Sequence, residues 1–150
     1  MREKALDGKE LRSFAAAVIE LAHARGARVL VNGNPQLARE LGADGVHLTS
    51  AQLKEIRERP DLELVGASCH DARELAQAQA VGADFAVLGP VAPTPTHPGA
   101  AGLGWAKFAA LLADCPLPVY ALGGLRPADL DTAWRCGAHG ISMMRGAWPD

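Results

Sequence analysis

Gly82-Ala83-Asp84-Phe85-Ala86-Val87-Leu88-Gly89 carries the reading of the fold. Gly82 closes a helix, because glycine takes the left-handed conformation with which helices commonly end, and Ala83 starts the return to extended chain. Phe85 to Leu88 is a continuous apolar run without polar alternation, the pattern of a strand covered on both faces in a parallel sheet. The same Gly-Ala pair recurs at Gly26-Ala27, Gly42-Ala43 and Gly137-Ala138, each time where a helical pattern hands over to a short apolar segment. Repetition of one helix-to-strand junction implies βα units and an α/β fold.

Working upstream, Leu11, Phe14, Ala15, Val18, Ile19 and Ala22 recur at helical intervals behind Asp7 and Glu10, whose spacing predicts a capping box. Arg28 to Val31 reads as a strand, Asn34-Pro35 as the N-cap and first residue of a helix ending at Gly42, and Gly45 to Leu48 as the next strand. A helix over about Ala51 to Glu58 starts from Thr49-Ser50, and a strand over Leu62 to Ala67 follows, with Asp71 capping the helix that ends at Gly82. Downstream, the Pro/Gly/Thr-rich stretch from Gly89 to Gly104 is long for a connection and is a candidate active-site loop. A helix over about Trp105 to Ala113, a strand over Val119 to Leu122, a helix from Arg126-Pro127 to near Gly137, and a last strand from Gly140 to Met144 complete the pattern. The six strands leave two architectures open: a doubly wound sheet, or a (β/α)8 barrel that is incomplete here.

The 150 residues are 49% hydrophobic and carry a formal charge of −2, which fits one globular domain over 1–150. No basic run marks a nucleic-acid surface, aromatics at 5% supply few stacking platforms, and no apolar stretch approaches a membrane span. Met1 to Asp7 contains no apolar core of a secretory signal. Cys69, Cys115 and Cys136 show no CxxC spacing and are expected as reduced thiols of a cytoplasmic protein.

In either architecture a ligand belongs at the C-terminal ends of the strands. Those positions hold Asn32-Gly33-Asn34, Leu48-Thr49-Ser50, Ser68-Cys69-His70, Gly89-Pro90-Val91, Gly123-Gly124 and Arg145-Gly146. Paired glycines before a helix, with Gly beside Arg after the next strand, would turn backbone N–H groups toward one anion, although Gly123-Gly124 also reads as a tight turn. Thr94 and Thr96, with His97 beside them, suit phosphate oxygens or form a proline-stiffened linker. Cys69 and His70 would point to opposite faces, which disfavours a covalent mechanism, and leaves Ser68 as a pocket residue with His70 or Asp71 capping a helix. His47, alone in an apolar strand, reads as a hydrogen-bonded core histidine, and the five histidines show no metal-ligand spacing.

These residues are similar to the thiamine-phosphate synthase/thiazole tautomerase superfamily over nearly the whole chain. The matching stretches are Arg2-Glu3-Lys4, Asn32, Gly42-Ala43-Asp44-Gly45-Val46-His47-Leu48, Ser68 with His70, and Gly82-Ala83-Asp84-Phe85 leading into Leu88-Gly89-Pro90-Val91. They continue through Thr94-Pro95-Thr96-His97-Pro98, Leu103-Gly104, Ala121-Leu122-Gly123-Gly124 and Gly137-Ala138-His139-Gly140. Ala67-Ser68-Cys69-His70-Asp71, Pro118 to Leu125, and Arg145-Gly146-Ala147-Trp148 most resemble the domain fused behind a Nudix hydrolase in some bacterial proteins. The resemblance implies a (β/α)8 TIM barrel that joins a pyrimidine diphosphate to a thiazole phosphate. It also implies that the first strand and helix, most of the second strand and the last helix have no counterpart here.

Carried over residue by residue, Arg2 and Lys4 would hold the diphosphate, with His97 adding positive charge to the leaving group. Ser68, Thr94 and Thr96 would line the pyrimidine and phosphate sites, Asn32 would contact substrate, and Gly123, Gly124, Arg145 and Gly146 would cradle the thiazole phosphate. The catalytic set so implied is Arg2, Lys4, Ser68 and His97. Magnesium is expected for the family, yet the two aspartates that hold it align with Gly33 and Gln52, so no metal or other cofactor is assigned. The synthase lysine is His97 here, and the tautomerase histidine aligns with Pro90. Two functions follow: a synthase-like domain binding a small phosphorylated heterocycle with weak or altered transfer, or a non-catalytic ligand-sensing or assembly module of a Nudix fusion. Open sheet edges predict a homo-oligomer or an attached domain as partner, with neither nucleic acid nor membrane.

Overall fold

The computed structural model describes residues 1–3, 5–94 and 101–143. They form α1 (Gly8–His23), β1 (Leu30–Asn32), α2 (Pro35–Glu40), β2 (Gly45–Leu48), α3 (Ser50–Glu55), β3 (Leu64–Cys69) and α4 (Ala72–Ala80). β4 (Phe85–Leu88), α5 (Gly104–Leu112), β5 (Val119–Leu122), a 3-10 turn (Pro127–Asp129), α6 (Leu130–Arg135) and β6 (Gly140–Ser142) follow. The strands form one parallel sheet in the order β1-β2-β3-β4-β5-β6. A doubly wound sheet reverses its strand order partway, whereas consecutive right-handed crossovers without reversal put every helix on one face. The sequential order therefore selects the barrel alternative, and the architecture is six βα-type strands of a TIM-barrel-like wall.

Burial separates the two faces. Val31, Val46, Leu48, Val65, Ala67, Cys69, Ala86, Leu88, Val119 and Ala121 are buried toward the helices, where Leu53, Leu75 and Phe108 meet them. Complete burial of the Phe108 ring contributes on the order of 2 kcal/mol. The alternate residues Asn32, His47, Ser68, Phe85, Tyr120, Leu122 and Ser142 line the inner, concave face and are half-buried. At the outer edge of β1, the Met1 ammonium donates to the Leu30 carbonyl and the Asn32 N–H donates to the Met1 carbonyl at 2.9 Å, a one-residue parallel pairing.

All four Gly-Ala junctions close as the repeat predicts. Gly26, Gly42, Gly82 and Gly137 have φ between 66° and 86°, and the N–H of the following alanine reaches back to Ala22, Ala38, Ala78 and Ala133 at 2.9 Å. These are Schellman closures, which satisfy carbonyls that the helix end leaves open. Asp44 and Asp84 then tie each junction to the neighbouring strand. The Asp44 carboxylate accepts Val29 N–H at 2.6 Å and His23 Nε2 at 2.9 Å, while that of Asp84 accepts Val65 N–H at 2.7 Å and the Arg59 guanidinium at 2.8 Å.

Four local expectations need correction, the first being that β1 covers Leu30–Asn32 and not Arg28 to Val31. The Asp7–Glu10 capping box does not form: Asp7 is the N-cap of α1 but its side chain caps nothing. The helix from Thr49 stops at Glu55, because Ile56 turns extended, and Arg57 bonds the carbonyls of Lys54 and Ile56. β3 begins at Leu64, two residues late, because the Arg59 guanidinium takes the carbonyls of Leu62 and Glu63. The shift puts Ser68 and Cys69 inside the strand, paired with Val87 and Leu88.

Candidate functional site

The inner face is layered by strand register. Asn32, His47, Gly66 and Phe85 lie side by side across β1 to β4, and Ser68, Val87, Tyr120 and Gly140 form the adjoining row across β3 to β6. A Cβ on Gly66 would stand 2.4 Å from Phe85 Cζ and 2.8 Å from His47 Nδ1, so the two rings lean over a position only glycine leaves empty. Phe85 meets Tyr120 edge-on at 5.8 Å between centroids, and Tyr120 meets His139 at 5.6 Å. These rings pack together on the inner face toward the N-terminal ends of β4, β5 and β6.

His47 Nε2 lies 2.8 Å from Ser68 Oγ. Burial, with a smaller contribution from the Met1 ammonium, lowers the His47 pKa to about 4, so the ring is neutral at pH 7. The core-histidine reading holds in that His47 is hydrogen-bonded, yet its ring faces the pocket side beside a candidate substrate residue, a placement that only the register reveals. Cys69 points to the helix side and is buried, and burial together with the charges of Glu74 and its neighbours pushes its pKa up to about 12. A thiol held so far from ionisation is no nucleophile at neutral pH.

The loop after β3 is fixed by Glu74 on α4, which is buried. Its carboxylate accepts the His70 N–H and His70 Nδ1, each at 2.8 Å, and pairs with Lys54 of α3 at 3.1 Å. Burial alone would raise the Glu74 pKa, but these hydrogen bonds outweigh it and hold the carboxyl below its usual range. Asp71 caps α4 through the Glu74 N–H at 2.9 Å, as expected.

The remaining candidates fall into two groups on the same rim. Arg2 and Asn32 share a cavity of about 190 Å³ with Met1, Glu3 and Asn34. Gly123 and Gly124, with φ of 102° and 66°, turn the loop after β5 across the segment after β4. The Val91 N–H bonds the Leu122 carbonyl at 2.8 Å and the Ala92 N–H bonds that of Gly123 at 3.0 Å. A Cβ at Gly123 would lie 2.6 Å from Pro90 Cβ, so both glycines are required by close packing as well as by φ. Thr94 ends the described part of that segment and is half-buried. Lys4, Thr96, His97, Arg145 and Gly146 lie outside the described residues.

A family model described as thiamine monophosphate synthase matches residues 1–147. The chain belongs to the thiamine monophosphate synthase family. It is 35% identical over 148 residues to the thiamine-phosphate synthase of Thermus thermophilus, covering 97% of this chain and 71% of that one. It is 33% identical to the thiamine-phosphate synthase of Thermosynechococcus vestitus, of which it spans 42%. Among solved structures, a thiamine phosphate pyrophosphorylase from Pyrococcus furiosus superposes with a TM-score of 0.77 at 25% identity, over 95% of this chain and 70% of that one.

The magnesium expected from the resemblance meets a poor fit. Gly33 has no side chain, and the Gln52 amide oxygen already accepts the Thr49 N–H and the Thr49 hydroxyl, both at 3.1 Å. Magnesium takes hard oxygen ligands, normally including at least one carboxylate, and neither residue supplies one. Among the described residues no group of three or more His, Cys, Asp or Glu could hold a metal ion, and no helix is long and apolar enough to cross a membrane.

Proposed function

We propose that residues 1–150 act as one thiamine-phosphate synthase-like domain, which binds a phosphorylated thiazole or thiamine phosphate at the strand C-termini and transfers the pyrimidine weakly. In this reading Ser68 and Asn32 orient the flat ring with Thr94 and Thr96. The backbone at Gly123 and Gly124, with Arg145 and Gly146, takes the phosphate. Arg2, Lys4 and His97 offset the charge that grows on a departing diphosphate.

The observation that supports the reading is that Gly33 offers no side chain and Gln52 a neutral amide whose oxygen is already in use, while Gly123 and Gly124 turn the loop after β5 with φ of 102° and 66°. A positioned cation contributes several kcal/mol at such a transition state, and each 1.36 kcal/mol is tenfold in rate. Turnover of the two precursors with magnesium present is therefore expected far below about 1 per second. Thiamine phosphate is expected to raise the melting temperature of the chain. A rate of order 1 per second would overturn the impairment, and absence of any thermal shift would overturn the binding.

The same neutral pair favours a second reading, a ligand-sensing or assembly module carried in a longer chain such as a Nudix fusion. Gly33→Asp with Gln52→Asp separates the two. A rise in transfer rate supports a weakened enzyme, and unchanged inactivity with retained ligand binding supports the module.

A further inference from the structure

The loops after β1 and β2 are joined by one side chain. Gln52, in the first turn of α3, donates from Nε2 to the Gly33 carbonyl at 2.8 Å, and its Oε1 accepts the Thr49 N–H and hydroxyl at 3.1 Å each. The Gln52 N–H closes the capping box on Thr49 Oγ1 at 3.3 Å, and the Gly33 N–H bonds the His47 carbonyl at 2.9 Å. Both lone pairs of the amide oxygen are thus occupied, and one amide proton is committed to the neighbouring loop. Gly33 has φ +70°, and a Cβ there would lie 3.5 Å from Gln52 Oε1, so the turn fits closely against the amide.

We infer that Gln52 is a positioning residue whose amide clasps the Asn32-Gly33 turn to α3, doing without a cation what a shared divalent ion would do between two carboxylates. The clasp sets Asn32 at the rim of the cavity it shares with Arg2, and it makes ligand binding at this site independent of magnesium. The inference rests on the reading of this rim as the binding site.

Gln52→Glu tests it, because a glutamate at this position keeps the capping box yet replaces the donor facing Gly33 with an acceptor. Hydrogen exchange across residues 32–38 and calorimetric binding of thiamine phosphate are measured on the full chain, with magnesium or with EDTA. In the wild type both readouts are expected to agree within twofold between the two conditions. In Gln52→Glu with EDTA, exchange is expected to quicken and affinity to fall by about tenfold. Magnesium should reverse both changes, because the carboxylate can then share a cation with the Gly33 carbonyl; lost packing alone gives no such reversal. Gln52→Ala, if folded, should show the loss without the reversal. A wild type that needs magnesium, a Gln52→Glu variant matching wild type, or a loss that magnesium leaves unchanged would each overturn the clasp. Failure of thiamine phosphate to bind the wild type counts against the binding-site reading alone, since hydrogen exchange still judges the clasp.

Discussion

His47 holds a neutral ring against the Ser68 hydroxyl, and that neutrality has a cost that pH exposes. Its pKa falls from 6.5 to about 4 on folding, so between those values the unfolded chain takes up a proton that the folded chain refuses. Stability therefore falls as pH drops through this window and levels off below it, by at most about 3 kcal/mol at 1.36 kcal/mol per unit. Asp44, Glu74 and Asp84 have lowered pKa values, so their contributions begin to fall as pH drops through the ordinary carboxylate values, 4.5 for Glu74 and 3.8 for the aspartates, and wild type and His47→Gln share that loss. Urea unfolding at pH 7.5, 5.5 and 4.5 should show a steeper decline for wild type than for His47→Gln, and equal slopes would refute the assignment. The placement of Ser68 and Asn32 near the strand ends was legible in the sequence because apolar runs in a parallel βα fold end where their polar successors begin. The role of His47 was not, because the row Asn32-His47-Gly66-Phe85 exists only once four strands have been set in register.

Asp44 and Asp84 show how one short motif does the same work twice. Each follows a Gly-Ala helix stop and accepts a backbone N–H at the entry to the strand beside it, Val29 just before β1 or Val65 early in β3, with His23 or Arg59 holding the carboxylate from a second element. Removing such a carboxylate strands a backbone donor at the start of a strand, which costs about 1–3 kcal/mol. Asp84→Ala is expected to lose about that much in chemical denaturation, and Asp84→Asn distinctly less, because the amide oxygen still accepts the Val65 N–H and the part-exposed ion pair it gives up contributes little by itself. Equal losses would show that the ion pair, and not the backbone bond, carries the junction. β2, β4 and β5 were readable to the residue from apolar runs bounded by glycine. β3 was displaced by two residues because a distant arginine intercepts its leading carbonyls, a tertiary event with no local signature.

Across the described residues the sheet has two ends that are unlike its middle. At the β1 end, α1 shows Phe14 at 41% and Leu21 at 59% exposure, and at the β6 end α6 shows Trp134 at 54%. Central helices hide their large apolar groups between neighbours, as Phe108 of α5 and Leu75 of α4 are hidden, whereas among the described residues α1 and α6 stand at the two ends of the sheet. Apolar side chains left at both ends of one sheet favour contact between copies of the chain, since burial of a single leucine gains roughly 1.5–3 kcal/mol. Light scattering is therefore expected to show a mass that rises with concentration above that of one chain. If the β1 end supplies the contact, Leu21→Gln should raise the dissociation constant by about tenfold or more, at 1.4 kcal/mol per decade, while leaving the unfolding free energy of the isolated chain almost unchanged. A Trp134→Gln variant with the same effect would mean that the two ends meet each other, a head-to-tail contact that propagates unless its rotation closes a ring. A wild type that stays monomeric at every concentration would refute the association outright, and would require the half-buried inner face to be stable in water as it stands.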